Sequence, residues 1–436
     1  MAHVAFVCNP SDRIDPAART SVAIVIANLA REVARAGHRV SLLAPDASKA
    51  ATDPALSGIE LVDIHAGRRI VARLDQFLSG YAGTRSPFAT SRRCHALFRA
   101  RIIATLGRLR PDIVHFSTYS QYLPEIARRL PGTRSVLHLH DELLGHVPAE
   151  QFAPRLRCAS QVLCVNSHIR DTLLRRRLVD GSKLAVLHNA VDPGLFAVDA
   201  PPSHAHRLVY VGRISPEKGL HVLGAAVGRI FADFPGLVVD VVGPAGLIQF
   251  EWLRWIARDD AACRTLLPFY GNRPFDAFRR QVLDRGAAYV RDAIAAAGPA
   301  RSAFRLHDFV PHAELQSFYR SAAAVVCPSV CNEIPLSAYE GMATGRPAVI
   351  SGDALRDGPV VDGETALVVP RADPARLADA LAELLAKPAR AAMMGAAGRR
   401  TVLSHYTWRD AGQRLLAVYD GLRIERPWTT AAREGE

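Results

Sequence analysis

The sequence predicts an α/β fold of two doubly wound, Rossmann-like domains that face each other across a cleft. Three observations predict it. Short apolar runs alternate with amphipathic helical stretches along the whole chain, the pattern of parallel strands with helices on both faces. Two such series occur, the second starting at Arg207 after a stretch broken by Pro193, Pro201 and Pro202. The length, 436 residues, favours two or three domains over one.

The first series places strands at His3–Cys8, Arg39–Leu43, Glu60–Ile64, Asp112–Phe116, Arg134–His138, Val162–Val165 and Leu184–Leu187. Between the first two, Val22–Ala36 has apolar residues at helical spacing and stops at Gly37, a residue suited to a left-handed C′ position. Pro111 stops the helix that runs up to Arg110. Residues 1–195 are therefore expected to form the N-terminal domain and 196–206 the linker. The second series places strands at Leu208–Val211, Leu237–Val242, Phe304–Leu306, Ala323–Cys327, Pro347–Ile350 and Ala366–Val369, within a domain spanning 207–415. Residues 250–302 are more than a simple crossover needs and read as a helical insertion. A C-terminal helix and tail, 416–436, is expected to return to the N-terminal domain. Ala431–Glu436 is expected to fray.

Composition bounds the function. About half the residues are apolar, enough for a core in each domain. No window approaches the roughly 18 apolar residues of a membrane span. Met1–Pro10 lacks a basic n-region and a small-residue cleavage site, so it reads as a first strand. Seven cysteines at irregular spacing make no disulfide framework, and a cytoplasmic protein with reduced thiols is expected. The formal charge is +12, of which residues 1–200 carry +9. Ten arginines between Arg68 and Arg110 face only Asp75. They form either a solvated basic face or a surface for anionic lipid headgroups or an anionic acceptor, which would put the protein at the membrane periphery. Nucleic acid is not expected, since no aromatic residues interleave with the charges and no recognition motif accompanies them.

Two segments carry the chemistry. In LVYVGRISPEKGLHVL (Leu208–Leu223) a strand ends at Val211, and Gly212 permits close backbone approach. Arg213 offers a planar fork and Lys218 a mobile point charge, both suited to phosphate oxygens. A helix is expected to start near Glu217. Alone, the segment is as well explained by an ordinary charged surface turn. In the second segment a strand ends at Cys327–Pro328, a loop holds Asn332 and Glu333, and a helix starts near Pro335 and Leu336. Ser337 and its neighbours would aim free N–H groups at a phosphate. Glu340, one turn inside, could accept both hydroxyls of a ribose. Its surroundings, Gly341, Met342 and Ala343, are a poor setting for an idle charge.

Together the two segments resemble the GT-B glycosyltransferases of the large retaining family 4. YVGRISPEKG is similar to that family's arginine–lysine motif, and CPSVCNEIPLSAYEGMATGRPAV to its paired-glutamate motif. The resemblance runs from Arg207 to about Leu422, interrupted by the insertion, and more weakly into the N-terminal half, where HNAVDPGLF resembles the interdomain signature. It implies the GT-B fold, a nucleotide-diphosphate sugar as donor (UDP- or GDP-sugar foremost), a hydroxyl-bearing acceptor and retention at the anomeric carbon. It implies that Arg213 and Lys218 hold the diphosphate and Glu340 the ribose. The family's first glutamate, expected to contact the sugar, stands eight before the second. Here that place is Asn332, with Glu333 one later, and either residue can serve.

The N-terminal half supplies the rest. In RSVLHLHDELL a strand ends at His138–Leu139, leaving His140, Asp141 and Glu142 at its carboxyl end. The resemblance matches His140 to a histidine that bonds the transferred sugar or its scissile oxygen; Asp141 also fits a helix cap. His138 points to the other face and reads as structural, while His115 is a candidate to line the acceptor side. Where the family carries a Gly-Gly pair, this chain has Thr20 and Ser21, whose hydroxyls suit a helix cap, an acceptor or a phosphate. No metal or cofactor is expected, because the leaving diphosphate is met by Arg213, Lys218 and a helix N-terminus. Cys327 and Cys331 read as packed thiols. A pyridoxal-type phosphorylase would be much longer, and no G-x-G-x-x-G follows the first strand to suggest an oxidoreductase. A hydrolysing epimerase and a non-catalytic nucleotide-sugar or anionic-lipid binding module of the same fold remain open.

Overall fold

The computed structural model describes residues 1–423 except 11, 16–19, 46, 65–94, 197–203, 249, 271–284 and 353–356. Two parallel sheets organise the chain. The first joins β1 (His3–Val7), β2 (Arg39–Ala44), β3 (Glu60–Asp63), β4 (Ile113–Ser117), β5 (Arg134–Leu139), β6 (Gln161–Cys164) and β7 (Leu184–Val186). Their order is β3-β2-β1-β4-β5-β6-β7. The second joins β8 (Arg207–Val211), β9 (Val238–Val242), β10 (Phe304–His307), β11 (Ala324–Cys327), β12 (Ala348–Ser351) and β13 (Ala366–Val369) in the order β10-β9-β8-β11-β12-β13. The apolar runs read from the sequence are these strands, shifted at their ends by a residue or so. Central strands such as β4, β11 and β12 are buried throughout, as strands covered on both faces must be.

In each sheet the strand order reverses once, between β1 and β4 and between β8 and β11. Open α/β sheets bind ligands outside the carboxyl ends of the strands at such a reversal. The donor segments follow β8 and β11, so topology brings them together.

Local chemistry sets the helix ends. The first helix, Ser21–Arg35, has Thr20 as N-cap, its side chain accepting from Ala23 N at 3.3 Å. Gly37 follows its C-terminus at φ +86°, as its sequence position suggests. In the insertion the helix Phe250–Asp259 buries Trp255 within the hydrophobic cluster of the N-terminal half that also holds Phe152 and Val165. The insertion thus ties the two halves together.

The last helix, Trp408–Arg423, packs on Ser21–Arg35 through Trp408, Ala411, Leu415 and Tyr419. It starts before the position 416 expected for it, because the chain already returns at a bridge between Val191 and Thr407. Phe196, placed at the head of the linker, is fully buried edge-on to His312 and Tyr319. The Ala431–Glu436 tail lies outside the described residues. Cys8, Cys158, Cys164, Cys263, Cys327 and Cys331 are free thiols. Among the described residues no helix is long and apolar enough to cross a membrane.

Candidate active site

A cleft of about 690 Å³ opens between the carboxyl ends of the two sheets. The site residues expected from the sequence line it, with the exception of His115. Gly212, Arg213, Lys218, Asn332, Glu333, Pro335, Leu336, Ser337 and Glu340 come from the second half; Thr20, Ser21, His140 and Asp141 come from the first.

The segment after β8 is tighter than expected. Pro216–Lys218 forms a 3-10 turn, and the helix begins only at Leu220. Gly219 separates them at φ +77°, and a Cβ there would lie 1.8 Å from Pro328 O. Only glycine meets both demands, and this contact holds the lysine turn against the loop after β11. Arg213 is fixed from behind: its Nη2 donates to Glu217 Oε1 at 2.6 Å and its Nε to Ser215 Oγ at 3.3 Å. Glu217 also accepts from Ser215 Oγ at 2.6 Å and Tyr270 OH at 3.1 Å. Burial alone would raise the Glu217 pKa, but the facing Arg213 brings it below the usual carboxylate value. The remaining N–H groups of the guanidinium are left for a ligand.

The second segment meets the first directly. Lys218 Nζ lies 2.5 Å from Glu333 Oε1, which also accepts from Ser329 Oγ at 2.6 Å. Glu333 thus occupies Lys218, while neighbouring Asn332 is buried against the cleft. The helix Leu336–Ala343 is capped by Pro335, and its first N–H groups have no partners within the helix. Glu340 is 4% exposed, and both its oxygens are engaged, Oε1 with His312 Nε2 at 2.6 Å and Oε2 with Tyr319 OH at 2.6 Å. The expected ribose acceptor is thus a pre-oriented carboxylate. His312, Tyr319, Glu217 and Tyr270 were missed from sequence. Only Glu217, inside SPEKG, carried a local signal.

On the opposite wall His140 Nε2 lies 3.1 Å from Ser117 Oγ. Burial pushes its pKa down to about 4, so it is neutral at pH 7. Asp141 accepts from Leu143 N at 3.0 Å, but it is not the helix cap expected of it, because Glu142 holds the N-cap position of the 3-10 turn Leu143–Gly145; burial pushes the Asp141 pKa up to about 6. Thr20 caps its helix and donates to Asp12 Oδ1 at 3.2 Å, while Ser21 lines the cleft. His115 is not on the acceptor side. It is 1% exposed, stacks on Phe6, and bonds Tyr419 OH at 2.7 Å and His138 at 3.3 Å. The apolar β4–β5 interior claims it, together with the structural His138. Of the basic stretch, Arg68, Arg69, Arg73, Arg85, Arg92 and Arg93 lie outside the described residues, and Arg99 pairs with Glu125 at 3.3 Å. Cys327 packs against Ser337, whereas Cys331 meets Cys263 of the insertion, Sγ to Sγ 3.6 Å.

Comparison with known proteins finds glycosyltransferases in sequence and in fold. Residues 22–195 match the family described as Glycosyltransferase Family 4, and residues 284–387 match Glycosyl transferases group 1. A glycogen synthase of Mycobacterium tuberculosis is 24% identical over 424 residues, covering 91% of each chain. Among solved structures, the sucrose-phosphate synthase of Thermosynechococcus elongatus superposes with a TM-score of 0.69 at 20% identity, covering 98% of this chain and 100% of that one. Anabaena HepE in complex with UDP and glucose superposes with a TM-score of 0.68 at 15% identity, covering 97% of this chain and 100% of that one. These structures carry the fold, GT-B.

Proposed function

We propose, from the premise that this chain is a GT-B glycosyltransferase of the family 4 and group 1 kind, that it moves a sugar with retention from a UDP- or GDP-type donor to a hydroxyl acceptor. One observation carries the reading: Arg213, Lys218 and the N-terminus of Leu336–Ala343 converge on one cleft, with neutral His140 on its far wall. UDP-glucose, the ligand of another solved HepE complex, is the kind of molecule this cleft would take.

The groups present suggest the division of labour. Arg213, braced by Glu217 and Ser215, meets one phosphate with its free N–H groups. Lys218 releases Glu333 and turns to the diphosphate. The helix N-terminus adds its unpaired N–H groups. Charge developing on the leaving diphosphate is therefore met by fixed donors, and no metal step is invoked. Glu340, aimed by His312 and Tyr319, accepts the ribose hydroxyls. Glu333 or Asn332 holds the sugar hydroxyls, and His140 bonds the sugar as a neutral imidazole. The bond from the anomeric carbon to the phosphate oxygen breaks as the acceptor oxygen bonds that carbon from the same face. The departing phosphate oxygen takes the acceptor proton.

The test is turnover across a panel of UDP-, GDP-, ADP- and dTDP-sugars, with thermal stabilisation alongside. A bound donor at a hundredfold excess over Kd raises stability by about 2.7 kcal/mol. Lys218→Ala and Glu340→Ala are each expected to abolish transfer with the fold retained; wild-type turnover in both would sink the reading. A non-catalytic nucleotide-sugar module would instead be stabilised by a donor without consuming it. The arginines of 68–110 are proposed to contact anionic lipid, placing a cytoplasmic protein at the membrane periphery. Liposome binding that is unchanged when Arg92, Arg93, Arg99 and Arg101 are reversed to glutamate excludes that surface.

A further inference from the structure

Behind the donor loop, three segments remote in sequence bring ligand-type atoms together. Glu142 follows β5 of the N-terminal half, Cys263 lies in the short insertion helix Ala261–Arg264, and Cys331 lies in the loop after β11. One carboxylate oxygen and the two Sγ atoms all lie within 4.8 Å of one another. Glu142 is 6% exposed, and its Oε1 is buried with no hydrogen-bond partner among the described residues. That is a costly arrangement for an ionised carboxylate. Its Oε2 faces His168 Nε2 at 3.2 Å and His146 Nε2 at 3.7 Å. The two thiols are 3.6 Å apart, far beyond the roughly 2.05 Å of a disulfide. A tetrahedral zinc ion with Zn–S bonds of about 2.3 Å sets its two sulfurs about 3.8 Å apart.

We propose that Glu142, Cys263 and Cys331 bind one zinc-like divalent ion that clasps the two halves of the protein and the insertion. Each thiol releases its proton to solvent on binding, and no redox change is involved. The orphaned Glu142 oxygen takes the third position. Cys331 and Glu142 line the cleft, so water fills the fourth. The ion is structural: it pins the loop that carries Asn332 and Glu333 to the opposite wall, and the sugar-transfer steps do not pass through it. His146 and His168 orient the carboxylate from outside, as partners of metal ligands do.

The experiment is cobalt(II) titration of the full, tag-free, reduced chain. One equivalent is expected to produce thiolate-to-cobalt charge-transfer absorption, which zinc abolishes, and zinc alone is expected to raise the thermal midpoint. Cys263→Ser and Cys331→Ser are each expected to lose most of that absorption, and Glu142→Gln to weaken it; Cys158→Ser keeps it. Because the unaltered protein gives the primary signal, a variant that fails to fold does not decide the matter. No absorption from the folded wild type, or absorption that survives in both cysteine variants, overturns the site. So does recovery of Cys263 and Cys331 as a disulfide from metal-treated protein.

Discussion

Glu333→Gln separates the competing roles of Glu333 and Lys218. The Glu333 carboxylate sits 2.5 Å from Lys218 Nζ, so a donor diphosphate that reaches the lysine must compete with it. At an effective dielectric of about 20, two unit charges about 4 Å apart attract by about 4 kcal/mol. The two side chains are 24% and 31% exposed, and solvent screening takes much of that away. About 1–2 kcal/mol of competition remains, equivalent to roughly a 5- to 30-fold change in affinity. Glu333→Gln is therefore expected to bind UDP or GDP about 5- to 30-fold more tightly. Its transfer rate is expected to fall where Glu333, rather than Asn332, is the residue that holds the sugar hydroxyls. Titration calorimetry with the nucleoside diphosphate reads the first effect and product formation the second. Diphosphate affinity that is unchanged or weaker in the variant refutes the competition.

Three further outcomes follow from the same geometry. Gly219→Ala puts a Cβ 1.8 Å from Pro328 O at a φ of +77°, so it is expected to cost more than about 2 kcal/mol by denaturant melt and to weaken donor binding, whereas Gly236→Ala, with open space around its Cβ, is expected to cost less. Tyr419→Phe removes the 2.7 Å bond to His115 and is expected to cost about 1 kcal/mol, loosening the last helix first in hydrogen exchange. His140 has a folded pKa of about 4 against 6.5 for the ordinary imidazole, so its contribution is intact above pH 6.5 and is lost as pH falls toward 4. The stability difference between wild type and His140→Gln should therefore shrink across that window. Asp12 and Asp141, raised to about 6, act with the opposite sign, and the difference between the two proteins cancels them.

The parts legible in the sequence were those encoded by neighbours along the chain. The apolar runs gave β1 to β13 to within a residue or so, because strands buried on both faces need continuous apolar character. The cleft positions of Arg213, Lys218 and Glu340 are legible because each lies in a contiguous segment that follows the carboxyl end of a parallel strand. What needed the structure was encoded by distance. His115 reads as a strand-end polar residue, and nothing local reveals that Tyr419, 304 residues away, claims it. His312 and Tyr319 hold Glu340 from 28 and 21 residues upstream with no motif between them. Cys331 reads from the sequence only as a packed thiol, and it is packing of the insertion that sets it against Cys263. The sequence suggests a helix start near Glu217, and the crowding of Gly219 against Pro328 explains why the helix waits until Leu220.

The central claim is that a nucleoside diphosphate lies between Gly212–Lys218 and Asn332–Glu340. A crystal structure of the chain grown with UDP or GDP tests it most directly. The expected result is diphosphate oxygens within hydrogen-bond reach of Arg213 and Lys218, ribose hydroxyls on Glu340, and Glu333 released from the lysine. A diphosphate seated away from these residues, or one bound with the Lys218–Glu333 pair intact, contradicts it.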